Sequence, residues 1–412
     1  MRKLFSCLVF SVLYSCSGGN QANTKIELGN IDNIQSKILN EERKIWVYVP
    51  NGGSQDIYAK AKYPVVYLLD GDAHFYSVVG MIQQLSSVNG NTICPEMIVV
   101  GIPNTDRTRD LTPTHVDKDA MMNDSNFVKT SGGGEKFMSF IEKELIPYID
   151  SVYPTVPYRT FIGHSLGGLT VMNALINHKE LFNAYVAIDP SMWWDNGSLL
   201  NKSKTVIANK KYSEKSLFLG IANTMTAKMD TASVVKDTAI ETSHIRSILG
   251  LNTLLEKNKN NGLYYNYKYY PADNHSSVPL IATYDALRFL FGFYEFKVEN
   301  DDYVNFSKNT ISKLEKHFED VSRHFGFKYP IPESLTNQFG YMALSQKKMP
   351  EAEYLFKLNV TNYPTSFNVY DSMADYYVAK GDTAKAIDYF KKALTIKEYP
   401  DTRKKLKEVS KK

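Results

Sequence analysis

The feature that most constrains this chain is a serine between two glycines, at the junction of a predicted strand and a predicted helix. The motif is Gly163-x-Ser165-x-Gly167, with an apolar strand pattern before it and helical spacing over 166–177 after it. A turn this sharp leaves no room for side chains at the glycine positions, and it directs the serine hydroxyl to the positive end of the helix. This is the pattern of a nucleophile elbow, so Ser165 is the predicted nucleophile.

Further apolar runs predict a sheet around this turn. The expected strands are 42–50, 63–70, 97–102, 159–163, 185–188, 217–222 and 264–270. Continuous apolar strands are typical of a sheet that is buried on both faces. Helical spacing lies between them at 135–149, 239–256 and 280–293, whereas the polar stretch 104–134 is expected to be a long surface loop. We therefore predict an α/β fold with a mostly parallel central sheet over residues 26–298.

Residues 299–412 show helical spacing without convincing strands, and they contain a repeat. Ala352 and Ala386 are 34 positions apart, and so are Phe356 and Phe390. A helix–turn–helix period of this length resembles tetratricopeptide repeats, and Gly381 falls where such repeats turn between helices. We expect a small all-α tetratricopeptide-like module that packs on the preceding part and has a protein partner. Two ordinary amphipathic hairpins are the alternative.

The first 25 residues read as an export signal and a tether. Arg2 and Lys3 precede an apolar stretch that is too short to span a bilayer. The stretch ends in Leu-Tyr-Ser-Cys, which resembles the lipobox of bacterial lipoproteins. We expect a signal peptide over 1–15, acylation of Cys16, a tether over 16–25 and a membrane-anchored protein in the periplasm or on the cell surface. The alternative is a plain secretory signal with an incidental cysteine.

Composition and motifs exclude several classes of function. The net charge of +4 gives no reason to expect a nucleic-acid partner. The sequence has no metal-ligand spacing, no phosphate-binding glycine loop and no dinucleotide fingerprint, so we expect neither a metal nor a cofactor. With Cys7 in the signal and Cys16 acylated, Cys94 would have no disulfide partner.

A serine nucleophile needs a base, and His275 is the best candidate. In this kind of site the histidine follows the serine along the chain. His275 lies in a polar loop after one predicted strand and before a predicted helix. By contrast, His178 directly ends the helix after the serine, and His244 lies within a helical pattern. We therefore predict that His275 is the base.

The acid that orients this histidine is less clearly defined. Chain order puts it between Ser165 and His275, and the fold puts it after the strand at 217–222. The first acid there is Asp230, which we take as the leading candidate. The alternatives are Asp189, Asp237, Glu241 and Asp273, or a dyad in which Asn223 or a backbone carbonyl orients the histidine.

The oxyanion of the reaction needs two backbone N–H donors. Leu166, directly after the nucleophile, is expected to supply one of them. The loop after the strand at 63–70 is expected to supply the other through Gly71 or Asp72, where glycine would let the backbone approach the substrate. An ordinary turn after a strand is the alternative for this loop.

Two further groups are candidates for substrate binding. Trp193 and Trp194 follow the strand at 185–188 and would line an aromatic pocket, although core packing is an equally good interpretation. Arg107 and its neighbour Arg109 follow another strand, where either would meet an anionic substrate. The alternative for these arginines is an ion pair with Asp106 or Asp110.

Together these residues resemble the putative-esterase family of α/β-hydrolases, which includes enterochelin (siderophore) esterases, feruloyl esterases and S-formylglutathione hydrolase. The matching pieces are 63–71, 101–113, 163–168, 189–194 and 275–279. The resemblance implies an α/β-hydrolase fold and ester hydrolysis through an acyl-enzyme, with Ser165 and His275 carried over. The chain departs from the family where Asn223-Thr224-Met225 follow the strand at 217–222, because an Asp or Glu is common there.

We therefore expect a serine carboxylesterase that acts on a small-molecule ester, siderophore- or feruloyl-esterase-like, without a cofactor. Acyl transfer to a sugar or alcohol is the alternative enzyme reaction, because pocket shape decides the acceptor. The alternative from another class is a binding protein on a hydrolase scaffold, although such a protein would not need both Ser165 and His275.

Overall fold

The computed structural model describes residues 26–50, 57–118, 121, 124–226 and 228–411. The predicted signal peptide at 1–15 and the tether at 16–25, with Cys16, lie outside the described residues and stay predictions.

The described residues form one eight-stranded sheet in the order β1-β2-β4-β3-β5-β6-β7-β8. The strands are β1 Asn30–Ser36, β2 Glu41–Tyr48, β3 Tyr63–Leu69, β4 Ile98–Ile102, β5 Thr155–His164, β6 Ala184–Ile188, β7 Ser216–Ala222 and β8 Tyr264–Tyr270. The pairs β1–β2 and β2–β4 are antiparallel, and every other pair is parallel. The predicted α/β class and mostly parallel sheet are confirmed.

The central strands are apolar because helices cover both faces of the sheet. Every residue of β3, β4 and β6 is buried. Valine, isoleucine and tyrosine fill these strands, and such residues pack well on a pleated surface. In contrast, β8 lies at the edge of the sheet, and most of its residues are exposed or half-buried. The carboxyl ends of β3 to β8 therefore meet at one edge of a rigid platform.

The helices of this part connect the strands. They are α1 Gly71–Ser86, α2 Arg107–Leu111, α3 Ser125–Val128, α4 Gly134–Phe140, α5 Ile146–Val152, α6 Leu166–Asn177, α7 Trp194–Asn209, α8 Thr231–Val234, α9 Ser243–Lys257 and α10 Val278–Leu290. A π-helical turn, Ile141–Leu145, joins α4 to α5. Short 3₁₀ turns lie at Val88–Gly90, Ile240–Thr242 and Lys259–Asn261.

The predicted long loop over 104–134 is only partly a loop. It contains the short helices α2 and α3, each begun by an aspartate that accepts a backbone N–H of the first turn. Asp106 accepts from Arg109, and Asp124 accepts from Asn126. The polar residues that suggested a loop are thus in part helix caps.

The C-terminal region is all helical, as predicted. Its helices are α11 Asn300–Val304, α12 Lys308–Phe325, α13 Glu333–Ser345, α14 Met349–Asn362, α15 Phe367–Lys380, α16 Thr383–Ile396 and α17 Pro400–Val409. The repeated residues Ala352 and Phe356 on α14, and Ala386 and Phe390 on α16, are all buried. Gly381 ends α15 with φ +81°, at the turn where the repeat predicted it.

This helical region packs against one face of the sheet. A single apolar cluster runs from strand residues into α12–α17. Tyr158 on β5 and Phe325 on α12 are both buried, with ring centroids 4.9 Å apart. The backbone N–H of Ala59 also donates to Glu333 at 2.8 Å. In the part of the chain that the structure describes, no helix combines the length and the apolar character needed to cross a membrane.

Candidate active site

Ser165 lies in a strained turn between β5 and α6. Its backbone has φ +60° and ψ −117°, which is rare for a residue with a side chain. A Cβ on Gly163 would lie 2.4 Å from backbone atoms of Gly167, so the turn closes only with glycine there. The predicted elbow is present, and it holds Ser165 directly before the first residue of α6.

His275 lies in the loop between β8 and α10, as the sequence predicted. Its Nε2 is 3.1 Å from Ser165 Oγ, and its Nδ1 is 2.6 Å from Asp189 Oδ2. A carboxylate can only accept, so Nδ1 carries the proton and Nε2 is free to accept from the serine hydroxyl. This is the tautomer that a general base for Ser165 requires.

Asp189 is the carboxylate in contact with His275, and Asp230 is not. Asp189 follows β6, which pairs with β5, and hydrogen bonds tie its loop to the elbow. Ser165 N–H donates to Ile188 O, and Ser191 N–H donates to Ser165 O, both at 3.0 Å. Because β6 pairs with β5, the strand that leads into the elbow, Asp189 at the end of β6 lies next to the elbow.

The prediction of Asp230 as the acid is contradicted by its place in the structure. Asp230 is exposed and caps α8, where it accepts the backbone N–H groups of Ala232 and Ser233. Three more candidates form hydrogen bonds away from His275, and a fourth is exposed to solvent. Asp237 accepts from Thr242, Asp273 accepts from Ser277, Asn223 donates to Pro271 O, and Glu241 is the exposed one. The carboxylate that contacts His275 follows β6 rather than β7, one strand nearer to β5 than predicted.

Asp189 is fully buried and held as a carboxylate. Burial raises its pKa, but hydrogen bonds from His244 and His275 outweigh burial and hold the pKa of Asp189 well below its usual range. Its Oδ1 accepts the backbone N–H of Ala222 at 2.9 Å. Its backbone has φ +42°, another strained conformation at the site.

His244 also contacts Asp189, which the sequence did not predict. Its Nε2 lies 2.8 Å from Asp189 Oδ2, the same oxygen that His275 contacts. Among the described residues, Asp189, His244 and His275 are the group whose possible metal-ligand atoms are close enough together to hold a metal ion. Their separations of 2.6 and 2.8 Å are those of charge-assisted hydrogen bonds. We therefore interpret the group as a hydrogen-bonded network in which both histidines donate to Asp189.

The predicted oxyanion donors lie at two helix N-termini. Leu166 is the first residue of α6, and Gly71 and Asp72 are the first two of α1. First-turn N–H groups have no acceptor inside their own helix, so they are available to an anion. Gly71 is required for packing, because a Cβ there would lie 2.7 Å from the backbone of Gly101. Close packing of the backbone thus requires a glycine at this position, and the approach of a substrate to this backbone stays a prediction.

Arg107 forms an ion pair behind the elbow. Its guanidinium donates to both carboxylate oxygens of Asp70, at 2.6 and 3.0 Å, and also to the backbone carbonyl of His164. Arg107 therefore forms its ion pair with Asp70 and not with Asp106 or Asp110, the two partners expected from the sequence. Arg109 does pair with Asp110, and with Glu41 as well. The Arg107 side chain is 34% exposed, so part of it still reaches solvent.

The two tryptophans have different surroundings. Trp194 is buried and donates from Nε1 to Thr114 O at 3.1 Å, so core packing is the interpretation that describes it. Trp193 lines a cleft of about 320 Å³. The wall also includes Met121, Leu200, Ile240 and Arg246. Trp193 is two residues along the chain from Ser191, whose Oγ is 3.3 Å from Ser165 Oγ. Ser243, the neighbour of His244, also lines the cleft.

Known proteins resemble this chain in sequence and in fold. The sequence model of the family described as putative esterase matches residues 36–277. The chain belongs to this esterase family. Among solved structures, an IroE-like serine hydrolase from Shewanella oneidensis is 32% identical, with a TM-score of 0.66. The match covers 80% of this chain and 98% of that protein.

Two relatives with assigned names are siderophore esterases. The siderophore enterobactin esterase of Emericella nidulans is 32% identical over 35% of this chain and 51% of its own length. The ferri-bacillibactin esterase BesA of Bacillus subtilis is 29% identical over 44% of this chain and 66% of its own length. The chain therefore spans between half and two thirds of the length of these relatives.

Proposed function

We propose that this protein is a serine carboxylesterase with the triad Ser165, His275 and Asp189. The observation that carries the proposal is the continuous chain of contacts from Ser165 Oγ to His275 Nε2 at 3.1 Å and from His275 Nδ1 to Asp189 Oδ2 at 2.6 Å. Serine hydroxyls barely ionise at neutral pH, so the neighbouring base gives this serine its reactivity.

The reaction proceeds in two halves. Ser165 Oγ attacks the ester carbonyl while His275 Nε2 takes its proton, and backbone N–H groups of Leu166 and of Gly71 or Asp72 stabilise the oxyanion. His275 then gives the proton to the leaving alcohol, which departs and leaves an acyl-Ser165. Water attacks this ester with His275 as base, and the acid is released with the serine restored.

The substrate class that we propose is an ester of the siderophore or feruloyl kind. The names of the two siderophore-esterase relatives support it. The cleft lined by Trp193 and Arg246 adds a physical argument, because it offers an aromatic wall and a cation. An acyl group that is both aromatic and anionic would bind both.

Ser165→Ala tests the proposal directly. Wild-type protein should hydrolyse at least one member of a panel of siderophore, feruloyl, acetyl-sugar and short aryl esters, and a fluorophosphonate should label it at Ser165. Ser165→Ala should abolish both reactions without a change in the circular dichroism spectrum. A folded variant that keeps near-wild-type turnover would reject the triad.

We also propose that the protein is exported and anchored by acyl chains on Cys16, with the C-terminal repeats available to a protein partner. The support for the anchor is the basic start, the short apolar run and the lipobox-like sequence. Mass spectrometry of the mature N-terminus tests it. An unmodified terminus, or one that begins beyond residue 16, would reject the anchor.

A further inference from the structure

The carboxylate of Asp189 has two histidines on one oxygen, and the proposed reaction uses only one of them. We propose that His244 is a positioning residue for His275: by donating its Nε2–H to Asp189, it holds the carboxylate in the orientation that directs His275 at Ser165. The inference rests on the proposed function and names a further residue for that reaction.

The contacts of Asp189 leave it little freedom. Oδ1 accepts from Ala222 N–H at 2.9 Å, and Oδ2 accepts from His275 at 2.6 Å and from His244 at 2.8 Å. The Asp189 side chain is 0% exposed, so bulk water does not reach it to replace a lost donor. Loss of His244 would leave a buried carboxylate with an unpaired acceptor position.

His244 lies at the start of a helix, and its side chain is largely buried. It is the second residue of α9, and its side chain is only 10% exposed. Its ring lies 5.0 Å from the His275 ring at an interplanar angle of 89°, so both N–H groups converge on Oδ2 without a ring clash. A carboxylate held from two directions has a fixed plane, and that plane fixes the ring of His275.

The shared oxygen also has an electrostatic consequence. A second donor on Oδ2 withdraws charge that would otherwise stabilise the His275 imidazolium. Removal of that donor should therefore strengthen the remaining contact between Asp189 Oδ2 and His275 Nδ1. The acid limb of the profile of kcat/KM against pH should then move to higher pH, because His275 must be neutral to act as base.

The other ionisable groups around His275 stay in place in such an experiment. His164, at the end of β5, has its ring 4.5 Å from that of His275, and burial lowers the pKa of His164 to about 4. Behind His164 lie His74 on α1 and the Asp70–Arg107 pair. A change in the pH profile on substitution of His244 is thus assigned to His244.

Two substitutions at this position separate hydrogen bonding from packing. His244→Leu fills the space without a donor, whereas His244→Gln can return an N–H to Asp189. With p-nitrophenyl acetate as substrate, His244→Leu should lower kcat by about tenfold or more, leave KM within about twofold and shift the acid limb upward. His244→Gln should recover most of kcat and the wild-type pH profile.

The chain offers a matched control away from the site. His178 Nε2 lies 2.9 Å from Glu135 Oε2 at the end of α6, in another histidine–carboxylate contact. His178→Leu and His178→Gln should leave kcat and the pH profile unchanged. Equal losses in both His244 variants, or a folded His244→Leu with wild-type kcat and profile, would overturn the inference.

A measurement that does not depend on turnover keeps the inference separate from the proposed function. The His275 Nδ1 proton should give a far-downfield proton resonance that moves in His244→Leu, where Oδ2 has lost its second donor, and stays near its wild-type position in His244→Gln. An unchanged resonance in both would overturn the role of His244. A wild-type protein that neither hydrolyses esters nor reacts with a fluorophosphonate would instead reject the proposed function.

Discussion

Asp189 accepts hydrogen bonds from three different parts of the chain: the end of β7, the start of α9 and the loop before α10. Burial of a carboxylate without such donors would be costly, and here the donors keep it ionised. Its charge is therefore available to stabilise a protonated His275 during the proposed reaction. Asp230, with an equal formal charge, is exposed and serves only a helix terminus.

At the residue scale, Asp189→Asn should lower kcat by orders of magnitude, about 10³–10⁴-fold. The amide can donate to His275 and so favour the wrong tautomer. Asp230→Asn is the matched control, because asparagine caps a helix nearly as well as aspartate. It should keep kcat within about twofold of wild type. Steady-state kinetics with p-nitrophenyl acetate measures both, and a large loss in Asp230→Asn alone would reverse the assignment.

The elbow is the element on which the site is built. The strand before it is buried between neighbouring strands, and the helix after it is buried along nearly its whole length. Neither can move to relieve a clash in the turn between them, because packed interiors repack poorly. The strained backbone of Ser165 is therefore held in place by the packing of β5 and α6.

At the element scale, Gly163→Ala should disrupt the turn between β5 and α6. The new Cβ would lie 2.4 Å from the backbone of Gly167, so the turn must open and displace Ser165. We expect a loss of about 100-fold or more in kcat/KM and a clear drop in the free energy of unfolding.

Gly80→Ala on α1 is the control for that substitution. A Cβ there meets nothing within 4 Å, and Gly80 is exposed in a helix interior. Activity should be unchanged, and stability should rise by about 0.5–1 kcal/mol. Chemical denaturation with matched kinetics measures both variants. An active, stable Gly163→Ala would contradict the steric account of the elbow.

At the scale of the whole molecule, the residues that the structure describes pack into two apolar clusters, one on each face of the sheet. The first lies within the hydrolase part. The second continues from the sheet through α1 and α10 into the C-terminal helices. The helical region thus completes the burial of one sheet face, which makes the two parts dependent on each other for stability.

At the scale of the whole molecule, Phe325→Ala should destabilise the hydrolase part as well as the helices. The chain has three tryptophans, Trp46, Trp193 and Trp194, and all precede the helical region. Removal of the buried Phe325 ring should cost about 3–5 kcal/mol and lower the Tm reported by tryptophan fluorescence. Val304→Ala, at a side chain that is 71% exposed, should have little effect. An unchanged tryptophan transition in Phe325→Ala would mean that the helices unfold separately.

The sequence alone determined the features that depend on local order along the chain. The elbow glycines are fixed by steric contact within five residues, so Ser165 and the strand–turn–helix around it could be predicted. Continuous apolar runs indicated the buried strands, and the 34-residue period indicated the helical region. His275 followed from chain order and from its place in a polar loop.

Only the tertiary structure decided the contacts between residues that are distant along the chain. Asp189 and His275 are 86 positions apart, and Asp189 and His244 are 55 apart. Which acid reaches the histidine depends on strand order, and β6, next to the nucleophile strand, brings Asp189 to the elbow. Packing likewise put Trp194 in the core and paired Arg107 with Asp70. A sequence pattern reports the burial of a segment, but the partners of a buried side chain are set by the elements that pack around it.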